Sequence, residues 1–260
     1  MTTRIGIAGI GGRMGREIAA AAQADSVITL VGGFDRPERT EEVRAALGPS
    51  VRVVARIDEL LPEIEVLIDF TTPEATVAHA RACAQSGRPL VSGVTGLTAE
   101  QLATLREASA TIPVFYARNM SLGISALLAA LPALVRSLQG YDIEIVEQHH
   151  RHKTDAPSGT ALALAEAIAG ALGADLSARA SYGRHGHAPR RPGEIGIHAV
   201  RAGGNAGEHV VIIADEGEEI RVSHRAYSRR TFALGALRAA AWLRQQPPGW
   251  YGMADLIAHS

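Results

Sequence analysis

Residues 147–161 read EQHHRHKTDAPSGTA, with three of the chain's ten histidines beside an arginine and a lysine. Three chemistries fit such a segment: metal ligation, binding of phosphate or nucleic acid, and proton transfer at an active site. For a metal, His150 and His152 would share a face of an extended strand and Asp155 could add a carboxylate. Against that reading, there is no second ligand cluster, the one cysteine, Cys83, is remote, and Lys153 would repel a divalent cation. No metal is expected. A nucleic-acid patch would interleave aromatic residues with its cations and would suit a basic chain, and neither feature is present. A solvated loop with incidental histidines is the remaining alternative. The next residues argue against it, because Pro157 and Ser158 precede a long Ala/Leu-rich helix. The backbone N–H groups of Gly159 and Thr160 therefore fall at a helix N-terminus, which attracts carboxylates without any side chain.

A second chemical signal lies near the N-terminus. AGIGGRMGREI follows a strand-like run and opens a helix, the context a dinucleotide-binding loop requires. Its glycines, at 9, 11, 12 and 15, fit G-x-x-G-x-x-G better than G-x-G-x-x-G because position 14 is Met. Gly9 and Gly12 permit a tight turn and close approach of a pyrophosphate, and the helix start after Gly12 offers N–H donors. Asp35 stands at the end of the next strand, where an acid can bind the adenosine ribose hydroxyls. Arg36 follows it directly and suits a 2′-phosphate instead, so the pair points to a site that accepts both NADH and NADPH. The bland alternative is a tight strand–helix turn with a solvated Asp–Arg pair. An anionic substrate, proton donors and a nicotinamide cofactor together describe a reductase of a small carboxylated C=N or C=O compound.

These residues must be held by a framework, and the first half of the chain supplies one. Strand-like runs at 4–10, 28–35, 51–54, 66–71, 89–96 and 112–119 alternate with helical stretches at 13–24, 38–47, 73–86 and 98–109. Such alternation predicts right-handed βαβ units and a parallel sheet covered on both faces. The second half changes character. A helix over 121–138 is followed by YDIEIVEQH, a helix from about 159 to 172, and β-rich stretches at 193–203 and 208–226. The last of these turns over at DEGEE as a hairpin would, which suggests an antiparallel or mixed sheet. SYGRHGHAPRRPGE reads as a loop, and a final helix over 229–246 ends before Pro247–Pro248. The expected fold class is α/β: a Rossmann-type domain over 1–120, and a second α+β domain on a mostly antiparallel or mixed sheet over 121–228.

Composition narrows the function classes. The chain has 260 residues, nearly half of them apolar, and its 26 basic and 27 acidic residues almost cancel. Steering onto DNA or an anionic membrane is not expected of such a chain. A single cysteine excludes an internal disulfide framework and agrees with a reducing compartment. The longest apolar run, 124–135, is too short to span a bilayer and contains Pro132. A strand begins almost at once, leaving no room for a signal peptide. A cytoplasmic protein, with neither nucleic acid nor membrane as a partner, is the expectation.

The combination of motifs resembles the 4-hydroxy-tetrahydrodipicolinate reductase (dihydrodipicolinate reductase) family of bacterial lysine and diaminopimelate synthesis. The resemblance covers nearly the whole chain: GIGGRMGR at 9–16, DFTTPE at 69–74, SGVTG at 92–96, RNMSLG at 118–123, EIVEQHHRHKTDAPSGTA at 144–161, RAGGNAGEH at 201–209 and SRRTFALGA at 228–236. It implies that residues 229–260 complete the N-terminal domain, and that the second domain's sheet builds a homotetramer. It also implies conversion of 4-hydroxy-tetrahydrodipicolinate to tetrahydrodipicolinate, with loss of water, by NADH or NADPH. By motif position, His149 matches the acid/base residue and Lys153 the proton donor. His150, Gly159 and Thr160 match groups that bind a small dicarboxylate. Gly9, Ile10, Gly11, Gly12, Arg13 and Met14 match the pyrophosphate loop, and Asp35 and Arg36 the pair that reads the adenosine ribose. Gly93, Val94, Thr95 and Ala117, Arg118, Asn119, Met120 match two loops beside the nicotinamide, acting largely through backbone groups. The chain departs from the family pattern at Asp35 (commonly Glu), Thr72 (commonly Arg), Val94 (Thr) and Arg118 (a small residue). All four bear on coenzyme preference. The rivals are another amino- or imino-acid dehydrogenase on the same scaffold and a non-catalytic NAD(P)-sensing protein.

Overall fold

A computed structural model describes residues 2–258; Met1, His259 and Ser260, which the expected N-terminal domain includes, lie outside them. The chain divides into two compact units, 1–122 with 229–260 and 123–228.

The first unit opens with β1 (Thr3–Ala8), α1 (Arg13–Gln23), β2 (Ile28–Phe34), α2 (Thr40–Leu47), β3 (Val53–Val54), β4 (Val66–Asp69), α3 (Pro73–Ser86), β5 (Leu90–Ser92), α4 (Ala99–Ala108) and β6 (Pro113–Tyr116). Local chemistry sets the helix ends. At α3 the Thr72 side chain accepts the Ala75 N–H, Pro73 occupies the first helical position, and Gly87 closes the helix in the left-handed region. At α4, Thr98 and Gln101 form a reciprocal capping box. Such caps contribute about 1 kcal/mol each.

The second unit comprises α5 (Leu122–Ser137), β7 (Asp142–His149), α6 (Gly159–Ala171), the single turn α7 (Leu176–Arg179), β8 (Ala180–Tyr182), β9 (Ile195–Arg201), β10 (Glu208–Ala214) and β11 (Glu219–Arg225). Its five strands run in the order β11-β10-β7-β9-β8. β10 is antiparallel to β11 and β7, whereas β7–β9 and β8–β9 are parallel, so the sheet is mixed. One face is buried: Ile143, Ile145, Ile195, Ile197, Val211 and Ile213 pack with Leu131 and Val135 of α5 and Leu164 and Ile168 of α6. The sequence stretch read as a loop from Ser181 onward begins instead inside β8, because Ala180–Tyr182 pairs with Ile195–Ile197.

The chain then returns to the first unit with α8 (Arg230–Leu243), β12 (Gly249–Tyr251) and α9 (Met253–Ala258). The first sheet has the order β12-β6-β5-β4-β1-β2-β3, and all its pairings are parallel. The order reverses beside β1, so a crevice opens beyond the carboxyl ends of β1 and β4. Ala233, Ala236, Leu237, Ala240 and Leu243 of α8 join Ile5, Ile7 and Ile68 in the core.

Small residues let α8 seat closely. A Cβ on Gly235 would lie far inside contact distance of the Met120 carbonyl oxygen, whereas one on Gly87 would meet nothing within 4 Å. Gly235→Ala is therefore expected to cost about 3 kcal/mol by overpacking. Gly87→Ala should cost only about 1–2 kcal/mol, for the left-handed conformation alone. Denaturant midpoints for the two variants check the order; equal losses would contradict it.

Candidate active site

The glycine loop leaves β1 at its carboxyl end. Gly9 adopts φ +64°, its N–H and that of Ile10 donate to the Phe34 carbonyl, and Gly12 N–H donates back to Gly9 O at 2.9 Å. A Cβ on Gly9 would meet Thr71 at 2.8 Å, and one on Gly12 would meet the Gly9 oxygen at 3.1 Å. Only bare backbone leaves this loop open. Asp35 is buried and turned toward it: Oδ2 accepts the Gly11 N–H at 3.0 Å and Oδ1 the Arg36 N–H at 2.9 Å. Each oxygen keeps a second lone pair for a ligand hydroxyl.

A cavity of about 670 Å³ is lined by Gly9, Gly12, Asp35, Arg36, Arg39, Thr72 and His79, among others. The structure thus brings together the glycines, the acid and the arginine picked out from the sequence. Polar side chains and bare backbone beside the apolar ring of Phe34 fit the adenosine half of a dinucleotide. Ile10 has its side chain fully buried in the core, so only its backbone can meet a ligand, and Arg13 is exposed on the first turn of α1. Met14 packs partly against the core.

The other expected cofactor loops also follow carboxyl ends of strands. Gly93 follows β5 and approaches the Phe70 ring too closely for any Cβ. Val94 is buried and Thr95 exposed. Ala117 follows β6 and donates its N–H to Ser92 O at 3.2 Å, Arg118 is exposed, Asn119 Oδ1 accepts the Ser121 N–H, and Met120 is buried in the core. Thr72, the position where the family commonly has Arg, caps α3 and lines the same cavity as Asp35 and Arg36.

The second unit carries the cationic segment. β7 alternates strictly, with Ile143, Ile145, Glu147 and His149 on the buried face. The strand ends at His149. The chain then turns, so His150 and His152 do not share the face of a strand as the metal reading supposed. The turn is fixed by His150 N–H to Asn205 O, Arg151 N–H to Gly203 O and Lys153 N–H to His150 O. The two imidazole centroids are 6.2 Å apart. The described residues contain no group of three metal-ligating side chains. Lys153 Nζ lies 2.8 Å from Asp155 Oδ1. Ser158 caps α6, its Oγ accepting the Ala161 N–H at 3.1 Å, which places Gly159 and Thr160 in the first turn. His150 Nδ1 is buried with no hydrogen-bond partner among the described residues, leaving a polar group for a ligand to satisfy.

Beneath this segment lie residues that were not picked out from the sequence. Glu147 is fully buried, at 0 % exposure. Its Oε2 accepts from His149 Nδ1 at 2.6 Å and Arg201 Nη1 at 2.8 Å; its Oε1 accepts from Ser158 N–H at 2.9 Å and Arg201 Nη2 at 2.7 Å. Arg201 Nη2 also donates to the Asp155 carbonyl at 2.6 Å. His209, opposite Glu147 across the β7–β10 pair, stacks edge-on to His149 at 5.2 Å and meets Ser158 Oγ through Nε2 at 3.0 Å. One signal was available: Glu147 and His209 fall in the apolar phase of their strands, where a polar residue must have a buried partner.

Burial pushes the Glu147 carboxyl up, but hydrogen bonds from Arg201, His149 and Ser158 outweigh it and hold the group below the usual carboxylate range. Burial lowers His149 below an ordinary histidine, against the opposing pull of Glu147. Burial, then the nearby His149, drives His209 down to about 4. Near neutral pH both imidazoles are therefore uncharged. Because an ionised Glu147 can only accept, His149 carries its proton on Nδ1 and presents a lone pair at Nε2.

Comparison with known proteins agrees with both halves. Residues 3–120 match the family model for the dihydrodipicolinate reductase N-terminus, and residues 123–257 match that for its C-terminus. The chain is 49 % identical to a 4-hydroxy-tetrahydrodipicolinate reductase from Rubrobacter xylanophilus over 262 residues, covering 99 % of each. It is 44 % identical to one from Thiobacillus denitrificans, again covering 99 % of each. Among solved structures it resembles the dipicolinate-bound dihydrodipicolinate reductase from Paenisporosarcina sp. TG-14, with a TM-score of 0.79 and 25 % identity over 98 % of this chain and 99 % of that one. With residues 3–120 and 123–257 both matched, this chain belongs to the dihydrodipicolinate reductase family.

Proposed function

We propose that this chain catalyses the NAD(P)H-dependent reduction of 4-hydroxy-tetrahydrodipicolinate to tetrahydrodipicolinate, with loss of water, in diaminopimelate and lysine synthesis. The observation that carries the reading is the segment 149–160. It leaves β7 at a proton-carrying imidazole, passes a lysine whose charge acts on that imidazole, and enters α6 at an N-terminus suited to a carboxylate. His149 and Lys153 are the catalytic residues in this reading. Gly159, Thr160 and the orphaned His150 Nδ1 bind the small dicarboxylate, and no metal takes part.

The glycine loop, Asp35, Arg36 and the loops at 93–95 and 117–120 hold the dinucleotide, which supplies the hydride when bound. The protein's own contribution is to fix a dianionic ring, keep it oriented, and offset negative charge that develops on it with the Lys153 ammonium. His149, neutral with a free Nε2 lone pair, accepts a proton more readily than it donates one; Lys153 is the better donor. Asp35 beside Arg36 and Arg39 supports use of both NADH and NADPH: the carboxylate serves ribose hydroxyls and the guanidinium groups a 2′-phosphate.

The second unit's sheet leaves one face open, where Val146, Val210 and Ile212 are only partly buried and Val200 is 41 % exposed. Apolar residues clustered on an uncovered sheet face support assembly through that face, in keeping with a homotetramer. No helix among the described residues is long and apolar enough to cross a membrane. The lone buried thiol of Cys83 suits a reducing compartment, and we place the enzyme in the cytoplasm.

Three outcomes are expected. His149→Ala and Lys153→Ala should each lower turnover by roughly 10²–10⁴-fold while NAD(P)H affinity, read by fluorescence titration, persists; unchanged turnover in both removes the assigned roles. Arg36→Ala should weaken NADPH roughly 10–100-fold, the loss of a charge-assisted bond, and spare NADH. Asp35→Ala should weaken both, since it also releases Gly11; equal losses for the two coenzymes in Arg36→Ala would contradict the assignment. Light scattering should give four chains per particle, and Val200→Asp should reduce that number; a monomeric wild type refutes the assembly.

A further inference from the structure

The buried Glu147–Arg201 pair has no place among the ligand-binding groups, yet it touches every element of the second unit that carries one. Glu147 has four lone-pair sites and meets four donors: His149 Nδ1, the Ser158 backbone N–H, and Arg201 Nη1 and Nη2. These come from β7 itself, from the entrance to α6, and from the end of β9. Through the Asp155 carbonyl, Arg201 also holds the 150–157 loop, whose Lys153 pairs with the Asp155 side chain. Two further neighbours border the His149 ring. The His209 ring packs edge-on against it, and a Cβ on Gly207, which adopts φ +153°, would stand 2.9 Å from Nε2.

We propose that Glu147, backed by Arg201, is the positioning residue of the reaction: it holds His149 as the Nδ1–H tautomer with Nε2 available, and in the same contact sets the α6 N-terminus. The role in turnover rests on the functional reading above, whereas the tautomer and the helix placement do not. Glu147 acts through His149 and Ser158 and touches no substrate atom in this scheme. The side chain must be a carboxylate. A glutamine could still accept from His149 through its oxygen, but its NH2 group would then face the Ser158 N–H and an Arg201 N–H, donor against donor. An aspartate is one methylene too short to reach all four. Arg201 answers the opposite need, since without its charge the buried carboxylate would stand uncompensated.

The charged and titratable groups around His149 fix the signs of the test. Glu147 on β7 favours the imidazolium; Arg201 at the end of β9 and Lys153 on the following loop oppose it. His209 on β10 is driven down first by burial and then by the nearby His149, so the two imidazoles also oppose each other's protonation. Removing the carboxylate charge must therefore lower the His149 midpoint, and removing Arg201 must raise it.

The experiment is ¹⁵N NMR of histidine-labelled full-length protein, with the His149 signals assigned by their loss in His149→Gln. In the wild type above the His149 midpoint, Nδ1 should be protonated and Nε2 bare. Glu147→Gln should move the midpoint down and Arg201→Met should move it up. In turnover, Glu147→Gln should lower kcat by roughly 10²–10⁴-fold, as loss of a tautomer-fixing carboxylate does elsewhere, with a rise in KM from the disturbed α6 entrance. Glu147→Gln/His149→Ala should show the kcat of His149→Ala alone, because a residue acting through His149 has nothing further to lose. A wild-type His149 protonated on Nε2 instead, midpoints that move the same way in both variants, or multiplicative kcat losses in the double variant would each overturn the proposal. Should either variant fail to fold, the wild-type tautomer decides. A wild type with the expected tautomer but no turnover of 4-hydroxy-tetrahydrodipicolinate would sink the functional reading and leave the positioning role intact.

Discussion

A carboxylate with no solvent contact organises the second unit. Glu147 sits on the apolar phase of β7, where a charge is tolerable only if its lone pairs are filled and its charge is answered. The parallel register that sets Arg201 beside His149 delivers the guanidinium, and the antiparallel register sets His209 opposite Glu147. The Ser158 N–H completes the set from the start of α6. Leaving such a carboxylate unpaired would cost about 3–5 kcal/mol, so the strand registers, the α6 entrance and the 150–157 loop are constrained together. The same contacts that make a buried Glu147 tolerable determine where the imidazole, the lysine and the helix N-terminus stand.

The first unit solves a related problem without burying a counter-charge. Its loops leave the carboxyl ends of parallel strands, and the groups facing the crevice are largely backbone: the glycine turn after β1, Gly93 after β5 and Ala117 after β6. Asp35 adds a buried side chain, committing part of its hydrogen-bonding capacity to the Gly11 N–H. That bond joins the acid proposed to read the ribose to the loop proposed to hold the phosphates, so the two are expected to respond to substitution as one. A shorter acid suits this double duty because it stays close to the loop, while Arg36 and Arg39 supply positive charge along the same cavity. Asp69 anchors the neighbouring loop in a similar way, accepting from the Thr71 N–H and hydroxyl while its other oxygen holds His79 at 2.8 Å.

How much of this could be read from the sequence depended on whether its cause was local. The α3 boundaries are set by Thr72–Pro73 at one end and Gly87 at the other, and the glycine loop declares itself within a dozen residues. β8 and β12 are three-residue strands without periodicity; each exists because a partner, β9 or β6, offers an edge, and no local signal marks them. His149, Lys153 and the α6 entrance were legible because they share one short segment. Arg201 and His209 were not, since they reach Glu147 only through pairings 54 and 62 residues away, and Glu147 itself looked like an ordinary polar residue in YDIEIVEQH. The alternation of β7 held the missing hint, because the phase that buries Ile143 and Ile145 also buries Glu147.

The two ion pairs of the site differ in a way that matches their proposed roles. Glu147–Arg201 is buried, bidentate and shared with two further donors, so neither member is free to exchange. Lys153–Asp155 is a single contact with the Asp155 side chain 56 % exposed, a class of pair worth about 0–1 kcal/mol. A lysine held so weakly can leave Asp155 for an arriving carboxylate or a developing charge at little cost. A lysine locked like Arg201 could not. Charge that must hold geometry is buried and saturated, and charge that must meet a ligand is tied by one contact to a half-exposed carboxylate. On that division, the cationic segment does not depend on a large unmatched field in the resting protein. It depends on one fixed pair that sets the framework and one loose pair that a dianion can replace.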